Sequence, residues 1–310
     1  MNEKNIIEKL IKNMPRSDIQ LNKPFESDAE ILEFAGKKLL YSMDEFSDED
    51  LFMMNDPFVL GHNIAVAAIS DIYASGGIPM FYAHSLTINE TFTEKYLEKF
   101  YEGIAAVLRK ANTAFIGGDF GKAESWRCCA SVIGTSERPI LRSTAKPGDV
   151  IYITGEIGAG NIQAAAKLYH TNVAKIKFKL RNQEAEMIRK VASSCIDTSD
   201  GVNNAINTIA NMSGVGFAIE HLPYLRVGAI LAKILGLPKE MLFFCECGEY
   251  ELLFTAPPEI TLPFHRLGKI TACEKTLQGK DISKFNISAR EFENPKDYLK
   301  AVKFLCDELL

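Results

Sequence analysis

The stretch "DPFVLGHNIAVAAISDIYASGGIPMFYAHSLTI", residues 56–88, decides how the fold is read. Its small and apolar residues recur at helical spacing until Gly76, Gly77 and Pro79 end the run, and "FYAHSLTI" then reads as a strand. Asp71 lies within this otherwise apolar helix. A carboxylate buried there needs a partner, because an unpaired charge is costly away from water.

Outward from the helix, elements alternate on both sides. Upstream, "NEKNIIEKLIKNM" places Ile6, Leu10 and Ile11 on one helical face until Pro15 breaks the pattern. "AEILEFAGKKLLYSMDEF" reads as two strands around Gly36, with Asp44 at the end of the second. Downstream come an amphipathic helix, "TEKYLEKFYEGIAAVLRKA", a strand "TAFIGGD" running into a glycine turn, and a strand "WRCCASVIGTS". Pro147 and Gly148 mark a turn, and we place a domain boundary near residue 145, giving domains 1–145 and 146–310. The second half runs through "VIYIT", "NIQAAAKLYH", a helix over 182–193, "CIDTSD", "VNNAINTIANMSG", "GFAIEHLP", "VGAILAKILG" and "MLFFCECGEYELLFTAP". That alternation of strand and helix is the pattern of an α/β sandwich.

Size and composition agree with two domains. A single core usually stops growing at about 250–300 residues, and this chain has 310, of which 47% are hydrophobic and 24% charged. A net charge of -5 with scattered Lys and Arg supplies no basic field, which argues against nucleic acid as a partner. The seven cysteines lack paired zinc-type spacing and the start lacks the apolar core of a signal peptide, so reduced thiols in a cytoplasmic protein are expected. No run approaches the roughly 18 apolar residues of a membrane span. The five histidines show no metal-binding spacing, and neither a nucleophile-elbow nor a P-loop motif occurs.

Acids instead recur where elements end or glycines cluster: Asp28 in "FESDAEI", Asp44 in "YSMDEF", Asp71, Asp119 in "FIGGDFG", and Asp197 with Asp200 in "IDTSDG". Singly, an Asp before Gly is more often a turn or a helix cap. As a set they suit Mg²⁺, a hard cation that takes oxygen ligands and bridges to phosphates. Gly117 and Gly118 have no Cβ and let backbone amides approach a phosphate, where Asp119 could hold the metal. Arg142 could fork onto a phosphate, Lys146 less specifically. "ITGEIGAGN" has the glycine order G-x-x-G-x-G rather than that of a dinucleotide loop, so a Rossmann site is rejected.

"AISDIYASGGIP", "FIGGDF", "LRSTAKPGDVIYITGEIGAG", "IDTSDGV" and "GEYELLFT" occur in the order seen in the aminoimidazole ribonucleotide synthetase-like superfamily. Over residues 25–256 the chain resembles, within it, the thiamine-monophosphate kinase family most closely. The resemblance implies a two-domain α/β fold, with an N-terminal mixed-sheet domain through which homodimers form and a C-terminal α/β sandwich. It implies ATP and Mg²⁺ as cofactors and a small phosphorylated acceptor. Carried over by motif, Asp28, Asp44, Asp71, Asp119 and Asp200 match metal-binding acids. Gly117, Gly118, Asp119, Arg142 and Ser199 match nucleotide-contacting positions, Asp200 and Arg142 the catalytic ones, and Asp48 and Glu249 substrate-binding ones. Asp197 is assigned to support of its loop.

The departures are specific. The family's G-D-D becomes Glu26-Ser27-Asp28, its Thr-Asp becomes Met43-Asp44, and Leu51 stands where a substrate-contacting histidine is expected. G-E-D-Y-E-L is shortened to "GEYEL", residues 248–252. "NDPFVLGHNIAVAAISDIYASGG" is similar to selenophosphate synthetase, but the first cysteine, Cys128, comes too late for that enzyme's reactive residue. An ATP- and Mg²⁺-dependent phosphotransferase is the leading expectation. An ATP-dependent ligase or cyclase, and a nucleotide-binding paralogue without catalysis, are the alternatives.

Overall fold

The apolar run at the centre of the sequence becomes a helix, Pro57–Ala74, buried on every side. The Asp56 carboxylate caps it by accepting from the Val59 amide, and Pro57 occupies the first turn, where no amide hydrogen is required. Gly76, at φ +72°, turns the chain out of it. The structure, a computed structural model, describes residues 3–50, 56–169, 176–285 and 287–309.

In the first half the elements are α1 (Glu3–Ile11), β1 (Glu30–Phe34), β2 (Lys37–Ser47), α2 (Pro57–Ala74), β3 (Ile78–Ile88), α3 (Glu94–Ala111), β4 (Ala114–Lys122) and β5 (Arg127–Ser136). In the second they are β6 (Val150–Ile153), α4 (Ala159–Leu168), α5 (Asn182–Val191), β7 (Ser194–Asp197), α6 (Val202–Ser213), β8 (Gly216–Ile219), α7 (Arg226–Ile234), α8 (Met241–Phe244), β9 (Leu252–Ala256), β10 (His265–Thr271), β11 (Lys275–Leu277), β12 (Lys280–Asp281) and α9 (Pro295–Leu309). One sheet has the order β1-β2-β5-β3-β4, antiparallel except for the β3/β4 pair. The other runs β12-β11-β8-β10-β6-β9-β7, antiparallel except for β11/β8. Both sheets are mixed, as expected for the α/β fold class.

Helix α2 lies between them, against β2, β3 and β5 of the first sheet and against β7 and β9 of the second. Its Ile64, Ile69 and Ile72 share one core with Leu40, Tyr82 and Trp126 from the first half, and with Val150, Tyr152 and Phe254 from the second. Alternation along β6 sends Ile151 and Ile153 into a second core with Phe217 and Phe243, which explains the unbroken apolar run "VIYI". Helix α3 crosses α2 so closely that a Cβ on Gly61 would stand 2.0 Å from the Phe100 carbonyl oxygen, and one on Gly103 2.1 Å from that of Phe58. Glycine is the only residue that fits either place.

Two strands differ from the sequence reading. β2 continues to Ser47, so Asp44 lies inside it. β4 does not turn at its glycines but passes through Asp119 to Lys122, sustained by parallel pairing with β3 after a register shift between Tyr82 and His84. Among the described residues no helix is long and apolar enough to cross a membrane. The cysteines are unpaired, and Cys128, Cys195, Cys245 and Cys306 are buried.

Candidate active site

Packing of α2 onto β7 brings the acids of both elements together. Asp71 from α2, Asp197 from the end of β7 and Asp28 from the bend before β1 each present a carboxylate oxygen, and these lie within 4.8 Å of one another. Asp44 on β2 and Asp200 beyond β7 flank them closely enough to feel the same charges. Burial, followed by the charge of Asp197, pushes Asp44 up to about 7 and Asp200 to about 6. Asp200 is nevertheless exposed by surface area, which places it at the mouth of the cluster. Asp71 is held well above the usual carboxylate range by burial and then by Asp44. Burial raises Asp28 to about 6 even though Arg142 opposes the shift. Protein groups alone leave this negative charge undercompensated.

Asp197 does support its loop as expected, accepting from the Ser199 amide at 3.2 Å and the Ser199 hydroxyl at 2.7 Å. It also accepts from Ser70 and belongs to the inner acid group, in line with the set of acids read from the sequence, whereas the family motif assigned it only to its loop. The available signal was the one already read at Asp71: an acid on a wholly buried element, here "SCID". Ser27, which stands for a family acid, is buried and shares a hydrogen bond of 2.9 Å with Ser75.

Other expected residues are placed differently. Arg142 turns its fork onto Asp28, with Nη2 at 2.5 Å and Nε at 3.1 Å, while Nη1 donates to the Phe25 carbonyl at 3.4 Å. Its guanidinium is therefore occupied within the acid cluster rather than free for a phosphate. Gly118, at φ +156°, sits where a Cβ would meet the His84 carbonyl oxygen at 1.7 Å, so its lack of side chain serves strand packing; Gly117, at φ +109°, is open. Asp119 pairs with Ser85, which pairs with Cys129, opposite Glu45, whereas Asp44 shares its row with Ala130 and His84. The period of two along a strand therefore puts Asp119 on the other face of the sheet from Asp44, exposed and outside the acid cluster of its own chain.

Glu249 is 2% exposed and fully engaged. Its carboxylate accepts from the amides of Gly158, Ala159 and Gly160 at 2.8, 2.7 and 3.2 Å, and from the Asn161 side chain at 3.3 Å. Helix α4 has glycine at its N-cap and no cap of its own, so a carboxylate from the loop before β9 fills the position. The carboxylate expected to meet substrate is thus engaged within the chain, at the α4 terminus. Asp48 lies exposed in the turn after β2, where its carbonyl accepts from Lys167 at 2.5 Å. Its neighbours Glu49 and Asp50, not Asp48, line a cavity. Leu51 and His170 lie outside the described residues.

That cavity, of about 200 Å³, opens beside Ser199 and Asp200. Glu49, Glu246 and Cys247 also border a larger, apolar chamber of about 310 Å³ between α4, α7 and α9, so the two spaces adjoin. A polar cleft bearing acids thus leads into an apolar one.

Residues 26–135 match the family described as AIR synthase related protein, N-terminal domain. The thiamine-monophosphate kinase of Pyrococcus horikoshii is 30% identical over 224 residues, covering 69% of this chain and 72% of that protein. That of Aquifex aeolicus is 27% identical over 278 residues, 82% of this chain and 87% of that protein. Among solved structures, thiamine monophosphate kinase from Aquifex aeolicus superposes with a TM-score of 0.79 at 24% identity, covering 91% of this chain and 99% of that one. A structure described as AaThiL complexed with AMPPCP and TMP gives a TM-score of 0.81 at 24% identity, covering 91% and 94%. Hydrogenase maturation protein HypE is more distant, with a TM-score of 0.64 at 19% identity over 83% of this chain and 89% of that one. The superpositions establish the two-domain fold.

Proposed function

The chain belongs to the thiamine-monophosphate kinase family, and from that premise we infer that it moves the γ-phosphoryl group of ATP onto thiamine monophosphate, giving thiamine diphosphate and ADP. The observation that carries this reading is the convergence of Asp28, Asp44, Asp71 and Asp197, with Asp200 beside them lining a cleft. The reaction needs positioning and charge neutralisation more than a strong base. The acceptor oxygen belongs to a phosphate that is already anionic, so no side chain has to remove a proton.

The donor set fits Mg²⁺: Asp28, Asp71 and Asp197 offer only oxygen, close together, and their surroundings leave negative charge for a cation to balance. Bound there, Mg²⁺ would offset charge on the phosphates. Arg142 fixes the orientation of Asp28 and partly neutralises it. Asp197 orients Ser199 and, with it, the loop that carries Asp200 to the cleft. Helix α6 follows at once with Gly201 at its N-cap, and among the described residues no carboxylate closes it as Glu249 closes α4, so the positive end of its dipole is available to a phosphate.

The same reading includes a homodimer formed through the N-terminal half, with the division between halves near residue 145. It is supported by Tyr41, Met43 and Phe81, exposed on the face of the first sheet away from α2, and by β4 as the edge strand among the described residues. Unpaired cysteines suit the cytoplasm.

The test is product analysis by chromatography after incubation with ATP, Mg²⁺ and thiamine monophosphate. Thiamine diphosphate and ADP in equal amounts are expected. ATP consumption without thiamine diphosphate would overturn the reading.

A further inference from the structure

The smaller cavity contains a side chain that the acid cluster leaves unused. Gln163, on α4, is 2% exposed and lines it. Its Nε2 donates to the Ile176 carbonyl at 2.7 Å, which settles the orientation of the amide, since only the nitrogen can donate to a carbonyl. Oε1 is left buried with no partner among the described residues. A buried acceptor without a donor costs free energy of folding, and such groups recur where a ligand completes them.

The surroundings say what kind of ligand. Glu49, Asp50 and Glu246 line the same space, and among its described lining residues there is no Lys or Arg, so it favours hydrogen-bond donors and positive charge. Two aromatic rings, Phe178 and Tyr250, also face it, 4.8 Å apart between centroids and inclined at 57°. Tyr250 is held at φ +53°, a left-handed conformation that bulky residues seldom adopt and that tends to be kept at functional sites. Acceptors, carboxylates and aromatic faces together suit a flat heterocycle that bears an amino group and is joined to a cationic group.

We propose that Gln163 is a specificity-determining residue, its Oε1 accepting from the amino group of the acceptor's heterocycle while Phe178 and Tyr250, packed on each other, form a wall beside the ring. The identity of the ligand rests on the kinase reading above; the subsite does not. The second role of Gln163, fixing residues 176–178, is shared with Asn63, which donates to the same Ile176 carbonyl at 2.9 Å and accepts from the Phe178 amide at 3.0 Å. Loss of Gln163 therefore leaves that segment anchored.

Calorimetric titration of the intact protein with thiamine, and with an analogue whose pyrimidine amino group is replaced by hydrogen, separates these roles without nucleotide or turnover. The wild type is expected to prefer thiamine about tenfold, the scale of one hydrogen bond. Gln163→Met, with its melting curve checked, is expected to bind both ligands alike, at the wild-type affinity for the analogue. A residue that only anchored the segment would weaken both ligands equally and leave the preference intact, and that result overturns the proposal. Gln163→Glu keeps an acceptor oxygen and is expected to retain the preference; its loss there overturns the proposal too. A protein that shows the preference but makes no thiamine diphosphate leaves this inference standing and overturns the kinase reading. One that makes thiamine diphosphate with no amino preference does the reverse.

Discussion

Asp71 is an acid on a helix otherwise given over to the core, and its carboxylate is surrounded by Asp28, Asp44 and Asp197. Such a residue costs folding free energy in return for function. Asp71→Asn should therefore raise the melting temperature measured without divalent cations, because it removes one of the mutually repelling charges. The same variant should lower kcat for thiamine monophosphate by at least about a hundredfold, as expected when charge stabilisation is lost. Glu249 makes the opposite case, a carboxylate employed in structure. Glu249→Ala orphans the first amides of α4 and should cost about 2 kcal/mol in urea unfolding, while the KM for ATP stays within about twofold. Neither distinction is visible in the residue type; it follows from what each carboxylate meets.

Among the elements, α2 has the greatest reach. It forms because small residues recur at helical spacing, and those small residues let it lie against two sheets and α3 at once. Gly103 on α3 is part of that fit. Gly103→Ala places a methyl group on the Phe58 carbonyl and should destabilise the protein by about 1–3 kcal/mol in urea unfolding, from overpacking alone, despite the better helix propensity of alanine. Activity should fall with it, since displacing α2 moves Ser70 and Asp71 relative to Asp197. At this scale the sequence was legible for α3, whose periodicity is strong, and for α2 and β6, apolar runs bounded by turn residues. It was not for β4, where Gly117 and Gly118 look like a turn but sit in a strand held by its neighbour. Pairing energy from another strand overrides a local signal.

For the whole molecule, the acid cluster links stability to pH. Asp28 and Asp200 at about 6 and Asp44 at about 7 hold protons in the folded state that an unfolded chain, with aspartates near about 3.9, has already released. Stability from these groups is complete below about pH 4, declines as pH rises towards 7, and stays low above it. Mg²⁺ should offset that loss by binding the ionised carboxylates. The rise in melting temperature on adding Mg²⁺, read by scanning fluorimetry, is accordingly expected to be larger at pH 8 than at pH 5; equal shifts would mean that the acids do not bind the cation. At the same scale, Met43→Glu on the face of the first sheet away from α2 should convert a dimer to a monomer in sedimentation analysis.

By itself the sequence determined the two-domain α/β class and the central helix, and it singled out Asp28, Asp44, Asp71 and Asp200 as one set, because periodicity and motif order are local properties of a chain. Tertiary structure decided which carboxylates meet. Asp197 joins them because β7 docks on α2, Asp119 is turned away because alternate residues of a strand face opposite sides, and Arg142 and Glu249 are taken up by partners more than ninety residues from them or close to it. Direction and company depend on packing between segments far apart in the chain, and no reading of neighbours along the sequence contains them.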